Sequence, residues 1–279
     1  MIKKYFVFIN LFLLLHSYAF AQTFHDSLYY QTFPNNLTVR IYSVKDYTDF
    51  TFSSIDKKSN IKYRSNTTLN LGAGVTYKNV SGNLSAGFGF LNNGINTRGK
   101  TKSLDLQFHF FLQKFTSDLL YLHYKGFYAA PQGYASQLPS GYYFRPDIKL
   151  DLAGLSGYYV QNFRHFSYRT AFFQNELIRK SSGTLLYGGG IYYENIRSND
   201  SSLIPAKVAG FFNNANFSQL HFVSFGPGIG YAYTALIKKN FFILGSAIIN
   251  GNINFATDEN TIINHHRTSF EPCVVFKSA

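Results

Sequence analysis

Asp147, Lys149 and Asp151 occupy every second position, and Arg169, Asn175, Glu176, Arg179 and Lys180 follow soon after. Every second side chain of a strand shares a face, so the first three would form one charged stripe. An antiparallel return about Gln161–His165 would carry Arg169 or Asn175 toward Asp151 or Lys149. Such a group can act as a charged constriction that selects solutes. It can equally be a structural ion-pair network filling a narrow enclosed space, since buried polar groups need partners in either case.

Other reactive types are scattered. Lipid hydrolysis would need a Ser, a His and a supporting amide or acid at a lipid edge. His109 and His123 lie in strand-like stretches, but no Ser sits in a glycine-flanked elbow. His25-Asp26-Ser27 are neighbours in sequence and would not converge on one point. The adjacent His265-His266 reads as a solvated loop pair more than as a metal site. Cys273 is the sole cysteine, so no intrachain disulfide can form. Gly72, Gly74 and Gly188–Gly190 lie within strands and precede no helix, so they are not phosphate loops; glycine there lets a face pack or a strand bend. Tyr142-Tyr143 and Tyr192-Tyr193 read as an interfacial girdle more than as sugar-stacking platforms. No cofactor or metal is implied.

The elements that must hold these groups are strands. Leu69, Leu71, Ala73, Val75 and Tyr77 alternate with Asn70, Gly72, Gly74 and Thr76. After Lys78-Asn79, the residues Leu84, Ala86, Phe88 and Phe90 alternate with Asn83, Ser85, Gly87 and Gly89, which makes an antiparallel hairpin. Similar alternation marks Leu104–Leu112, with Phe111 alone on the polar side, and Asp147–Gln161, Phe166–Asn175, His221–Tyr233 and Phe241–Phe255; Thr116–Tyr128, with no clean phase, Thr184–Arg197 and Thr268–Lys277 also read as strands. Leu37–Phe52 changes phase, which predicts a bulge near Ser43–Asp46. Pro227 predicts another, because proline donates no ladder bond. Ser53–Asn66, Asn92–Lys102, Ala129–Phe144 and Ser198–Ser218 read as loops.

Composition says which way the greasy faces point. Lys3-Lys4, the apolar run Phe6–Phe20 and Ala19-Phe20-Ala21 form a secretory signal peptide over residues 1–21. Removing it leaves 258 of 279 residues and lowers the formal net charge from +12 to +10. That basic balance suits anionic headgroups or solutes, or equally reflects a genome favouring Lys and Asn, and export argues against nucleic acid as a partner. No later run is long enough for a membrane helix, yet 19% of residues are Phe or Tyr. Only helices and closed barrels span a bilayer, because unpaired backbone groups cannot face hydrocarbon. The expectation is therefore an all-β, antiparallel up-and-down transmembrane β-barrel, with residues 22–36 as a periplasmic lead-in and 37–279 as the barrel. Charges at the lipid midplane cost about 2–4 kcal/mol for Lys or Arg, so Asp147, Lys149 and Asp151 are expected to face the lumen. About eleven strands are legible and the last stops at Lys277-Ser278-Ala279, so the expectation is twelve strands with the final part missing.

Short runs strengthen this picture. His25-Asp26-Ser27, Leu37-Thr38-Val39-Arg40, Lys62-Tyr63-Arg64-Ser65-Asn66, Gly87-Phe88-Gly89-Phe90-Leu91, Gly99-Lys100-Thr101-Lys102, Tyr124-Lys125-Gly126 and Arg145-Pro146-Asp147 occur in order. Phe166-Ser167-Tyr168-Arg169, Gln174-Asn175-Glu176, Phe225-Gly226-Pro227 and Gly230-Tyr231-Ala232-Tyr233 follow. Together they resemble domain-of-unknown-function family 4421 over nearly the whole mature chain, with Ser65 in place of an expected Pro. The resemblance implies an outer-membrane barrel of Gram-negative bacteria with no established activity, and no catalytic or ligand residue carries over. Expected partners are outer-membrane lipids, lipopolysaccharide and the outer-membrane assembly machinery. The functional expectation is a small channel or a structural or assembly barrel. The alternatives are a lipid- or lipopolysaccharide-modifying enzyme and a secreted lipocalin-like binding barrel.

Overall fold

The computed structural model describes residues 25–33, 35–54, 59–67, 69–92, 94–173, 176–199, 202–212, 216–238, 241–259 and 264–278. The signal-peptide reading of residues 1–21 lies outside them, as does Asn175. The described chain is almost entirely antiparallel sheet. Its main path runs through β2 (Leu37–Val44), β5 (Asn70–Tyr77), β6 (Val80–Gly87), β7 (Lys102–Phe111) and β8 (Phe115–Ala130). It continues through β9 (Tyr143–Val160), β11 (Ser182–Arg197), β12 (Gln219–Lys238), β13 (Phe241–Glu259) and β14 (Asn264–Ser278). β3 (Asp49–Ser53) and β4 (Asn60–Arg64) form a side hairpin on the end of β8. β1 (Tyr30–Thr32) pairs separately with β10 (Glu176–Ile178).

The sheet is strongly curled. Lys277 on β14 pairs with Asp118 on β8, five strands away along the path. The Tyr158 hydroxyl on β9 donates to Asn250 Oδ1 on β13 at 2.7 Å. These contacts define an inner face. Among the described residues no ladder joins β2 to β14, and no helix is long and apolar enough to cross a membrane.

Register lays the outer face out in rows. Leu106, Tyr121, Ala153, Tyr193, Val223 and Phe255 stand side by side across β7 to β13. Two rungs further along come Phe108, Leu119, Leu155, Ile191, Phe225 and Ile253. Beyond those lie Phe115, Tyr159, Tyr187, Ile229, Ile249 and Val274. Most of these side chains are exposed. At one end β5–β6, β7–β8 and β12–β13 are joined by two or three residues, whereas the connections β6–β7, β8–β9 and β11–β12 at the other end are long.

Two apolar clusters occupy the inner face. At the long-loop end Ile148 and Leu150 of β9 pack with Tyr124, Phe127 and Ile196, covered by Ile61 and Tyr63 of β4 and by Leu203, Ile204 and Val208. The Tyr63 hydroxyl donates to the Leu203 carbonyl at 2.8 Å. At the short-turn end Phe166, Tyr168 and Phe173 pack with Phe111, Tyr158, Leu186 and Leu244.

Several expectations need correction. Leu37–Phe52 is two strands, not one bulged strand, because β3 leaves the main sheet to pair with β4. Part of the expected loop Ser53–Asn66 is β4, whose Ile61 and Tyr63 are fully buried. No bulge forms at Pro227: pairing with β13 resumes at Gly228–Asn250 in the register that held at Phe225–Ile253, leaving Gly226 and Pro227 outside that ladder. The register shifts instead between Leu236 and Lys238. A further shift lies between Lys125 and Phe127, where Gly126 takes φ +91° and a Cβ would strike the Lys100 carbonyl oxygen. A side chain at Gly126 would be strained and blocked at once.

Candidate functional site

The polar inner face between β2 and β8 is the candidate site. Its room comes from glycine. A Cβ at Gly72 would strike the Tyr42 ring and one at Gly74 would strike the Asn83 amide, so the small residues of β5 leave space for long side chains on β2 and β6. Arg40 uses that space. Its Nη2 donates to Ser81 Oγ at 2.7 Å and Asn83 Oδ1 at 3.1 Å, and its Nη1 to the Phe172 carbonyl at 3.4 Å. Asn70 Nδ2 donates to Asp46 Oδ2 at 2.7 Å, and Gln107 Nε2 to Asp105 Oδ2 at 2.8 Å. His109 Nδ1 lies 2.6 Å from Asp118 Oδ1, whose other oxygen takes Lys277.

These groups surround a cavity of about 310 Å³ lined by Arg40, Tyr42, Asp46, Asp105 and His109 and floored by Phe172 and Phe173. Among the described residues Asp105 Oδ1 is buried without a protein partner. The walls carry both signs of charge, so the space suits water or a small polar solute and selects no one charge sign. Neither His109 nor His123 has a serine among its side-chain partners within the described residues. Among those residues no three His, Cys, Asp or Glu side chains gather as a metal site requires. The side chains of His265 and His266 lie outside the described part.

The charged residues read from the sequence do not assemble as one group. Lys149 and Asp151 share the outward strand face of Leu155 and Tyr159, while Ile148, Leu150 and Tyr158 point inward; Asp147 lies at the register shift beside the buried Arg145. The expectation of lumen charges is therefore reversed for Lys149 and Asp151. The physical reason is the loop cover: Leu203, Ile204 and Val208 make the inner side apolar there. Asp147 holds Arg145 through two bonds of 2.8 and 2.7 Å, and Asp151 lies 2.7 Å from His123 Nδ1.

The second half of the group fails for a different reason. The strand returning alongside β9 is β11, so the described residues 161–173 and 176–181 do not pair back onto β9. They fold inward through a short helix, Arg169–Phe173, and β10. Arg169 Nε lies 3.4 Å from Glu176 Oε1, an ion pair buried to 8% and 1% side-chain exposure. Arg169 Nη2 also donates to the Lys78 carbonyl at 3.1 Å. Arg179 and Lys180 reach outward to the amino-terminal segment, Arg179 to Gln31 Oε1 at 2.7 Å and Lys180 over the Tyr29 ring. The Tyr30 hydroxyl donates to the Phe163 carbonyl at 2.9 Å, which clamps the inward segment from below.

Burial pushes the Glu176 carboxyl above its ordinary 4.5, and Arg169 with the Ser167 and Thr170 hydroxyls pulls it partly back. The docked segment thus keeps its proton to higher pH than a freed one, so docking strengthens as pH falls toward 4.5 and weakens as pH rises. The chain has no tryptophan, so a single Phe163→Trp substitution reports docking alone. Its emission will shift to the red between acid and neutral pH, and Glu176→Gln will flatten that response. An equal response in the Gln variant would remove Glu176 as the cause.

No curated protein and no solved structure matches this chain. One family model does, over residues 25–279, which span every strand described above. The chain belongs to the family described as domain of unknown function DUF4421.

Proposed function

We propose that the chain is an outer-membrane β-barrel protein whose interior is closed at both ends by apolar packing, serving the envelope as a structural or assembly barrel more than as an open channel. The outward face carries the proposal. Exposed Leu, Ile, Val, Phe and Tyr form continuous rows across adjacent strands, far more contiguous apolar surface than a few-hundred-Å² patch on a soluble protein. Tyr121 and Tyr193 stand at one margin and Tyr159, Tyr187, Tyr231 and Tyr233 toward the other, as interfacial girdles do. From the Tyr121 row to the Tyr233 row is ten residues of rise, about 33 Å along a strand and about 25 Å across a bilayer at the usual tilt.

The outward placement of these residues favours a membrane barrel over a soluble barrel with a greasy interior. In hydrocarbon the edges of β2 and β14 must be satisfied by pairing. The proposed partners are outer-membrane lipids, lipopolysaccharide and the assembly machinery that inserts such barrels. The two inner clusters, from the loop 198–212 and from residues 161–181, predict that a reconstituted chain carries no steady current. Planar-bilayer recording tests this. Deleting residues 163–173 should turn a silent membrane into a conducting one, and steady conductance of the intact chain would overturn the closed-interior reading.

A further inference from the structure

We infer that a row of four cations on the outer face binds the phosphate of an anionic membrane lipid. Lys102 stands directly opposite Lys125, Lys125 opposite Lys149, and Lys149 opposite Arg197, across β7, β8, β9 and β11. Directly opposed like charges destabilise a sheet, and here three such pairs lie edge to edge. Among the described residues Lys102, Lys125 and Lys149 have no ion-pair partner, while Arg197 reaches Asp151 Oδ2 at 3.3 Å. Asp151 does not relieve the lysines. Its carboxylate already takes His123 Nδ1 at 2.7 Å and the Tyr121 hydroxyl at 2.9 Å. Three strand gaps make the row about 14 Å wide, room for one or two phosphates.

The occupant is an amphiphile because of what lies beside the row. Four residues along the strands, about 13 Å, begins the apolar band of Leu106, Tyr121, Ala153 and Tyr193. A headgroup phosphate on the cations therefore leaves its acyl chains on that band. The row also sits at the long-loop end, the outward side of a barrel with short periplasmic turns. This inference rests on the membrane reading above.

The test uses the chain folded in dodecyl maltoside micelles doped with phosphatidic acid or with diacylglycerol of the same acyl chains. Bound lipid is counted by native mass spectrometry. We expect phosphatidic acid to be retained and diacylglycerol to be lost. K125Q/K149Q will weaken retention about 30-fold, from two cations near an anionic surface, while K238Q at the opposite end will not. Added salt will weaken retention by the unsubstituted chain. Equal retention of the two lipids, an unaffected double variant or displacement by inorganic phosphate would each overturn the inference. A chain that will not fold into micelles or lipid at all would overturn the membrane reading with it, and so is told apart.

Discussion

Ile148→Asp will unfold or misassemble the sheet, whereas Lys149→Leu, one residue away, will leave it intact. Ile148 is fully buried against Tyr124, Phe127 and Leu203. Its replacement forfeits about 2–3 kcal/mol of apolar transfer. A carboxyl with no partner in that cluster adds about 1–3 kcal/mol more. The sum is a large share of the 5–15 kcal/mol that typically separates folded from unfolded chains. Lys149 faces outward between Lys125 and Arg197, so leucine there removes like-charge repulsion and changes stability by no more than about 0.5 kcal/mol. Denaturant midpoints in micelles will show the contrast. If Lys149→Leu were the disruptive change, the strand would be facing the other way and the outer cation row would dissolve with it.

That contrast also marks where sequence reading reached its limit. The hairpin of β5 and β6 was legible in face, since Leu71, Val75 and Leu84 are exposed and Asn70, Thr76 and Ser85 are buried, but its second strand ends at Gly87, short of Phe88 and Phe90. Phe111, the one apolar residue on the polar side of β7, does pack inward, against Tyr168 and Phe173. On β9 the alternation was equally clear but its direction was not. The rule that charge faces inward holds at the level of the apolar band and lapses where a strand rises beyond it. Parity carried down the strand was the available signal, because Lys149 and Asp151 share a face with Leu155.

Residues 161–181 misled for a different reason. Phe166, Tyr168 and Phe172 alternate as in a strand, yet alternation over so few residues does not distinguish a strand from an inward loop. The partner decides, and the partner of β10 is β1, about 145 residues earlier in the chain. No local pattern carries such a pairing. The cation row was hidden likewise, because Lys102, Lys125, Lys149 and Arg197 become neighbours only through register. Lys102 and Lys149 sit just before the outward apolar positions of their strands, and Lys125 and Arg197 just after them.

Arg169→Met will release the inward segment, and Arg169→Met combined with Glu176→Leu will restore it. Arg169 and Glu176 are buried within ion-pair distance, and Thr170 Oγ1 donates to Glu176 Oε2 at 3.2 Å. Removing the arginine leaves a buried carboxylate without its cation, a loss of about 3–5 kcal/mol for such a pair. Removing both charges leaves an apolar contact among Phe166, Tyr168 and Phe173, and replacing buried pairs this way is often neutral. The single variant should therefore show red-shifted Phe163→Trp emission and bilayer current at neutral pH. Acid should partly rescue it, because a protonated Glu176 no longer needs the arginine, and the double variant should stay silent at both pH values. If the single variant matched the native chain in emission and current, the buried pair would hold nothing in place. The closed interior would then rest on the aromatic cluster alone.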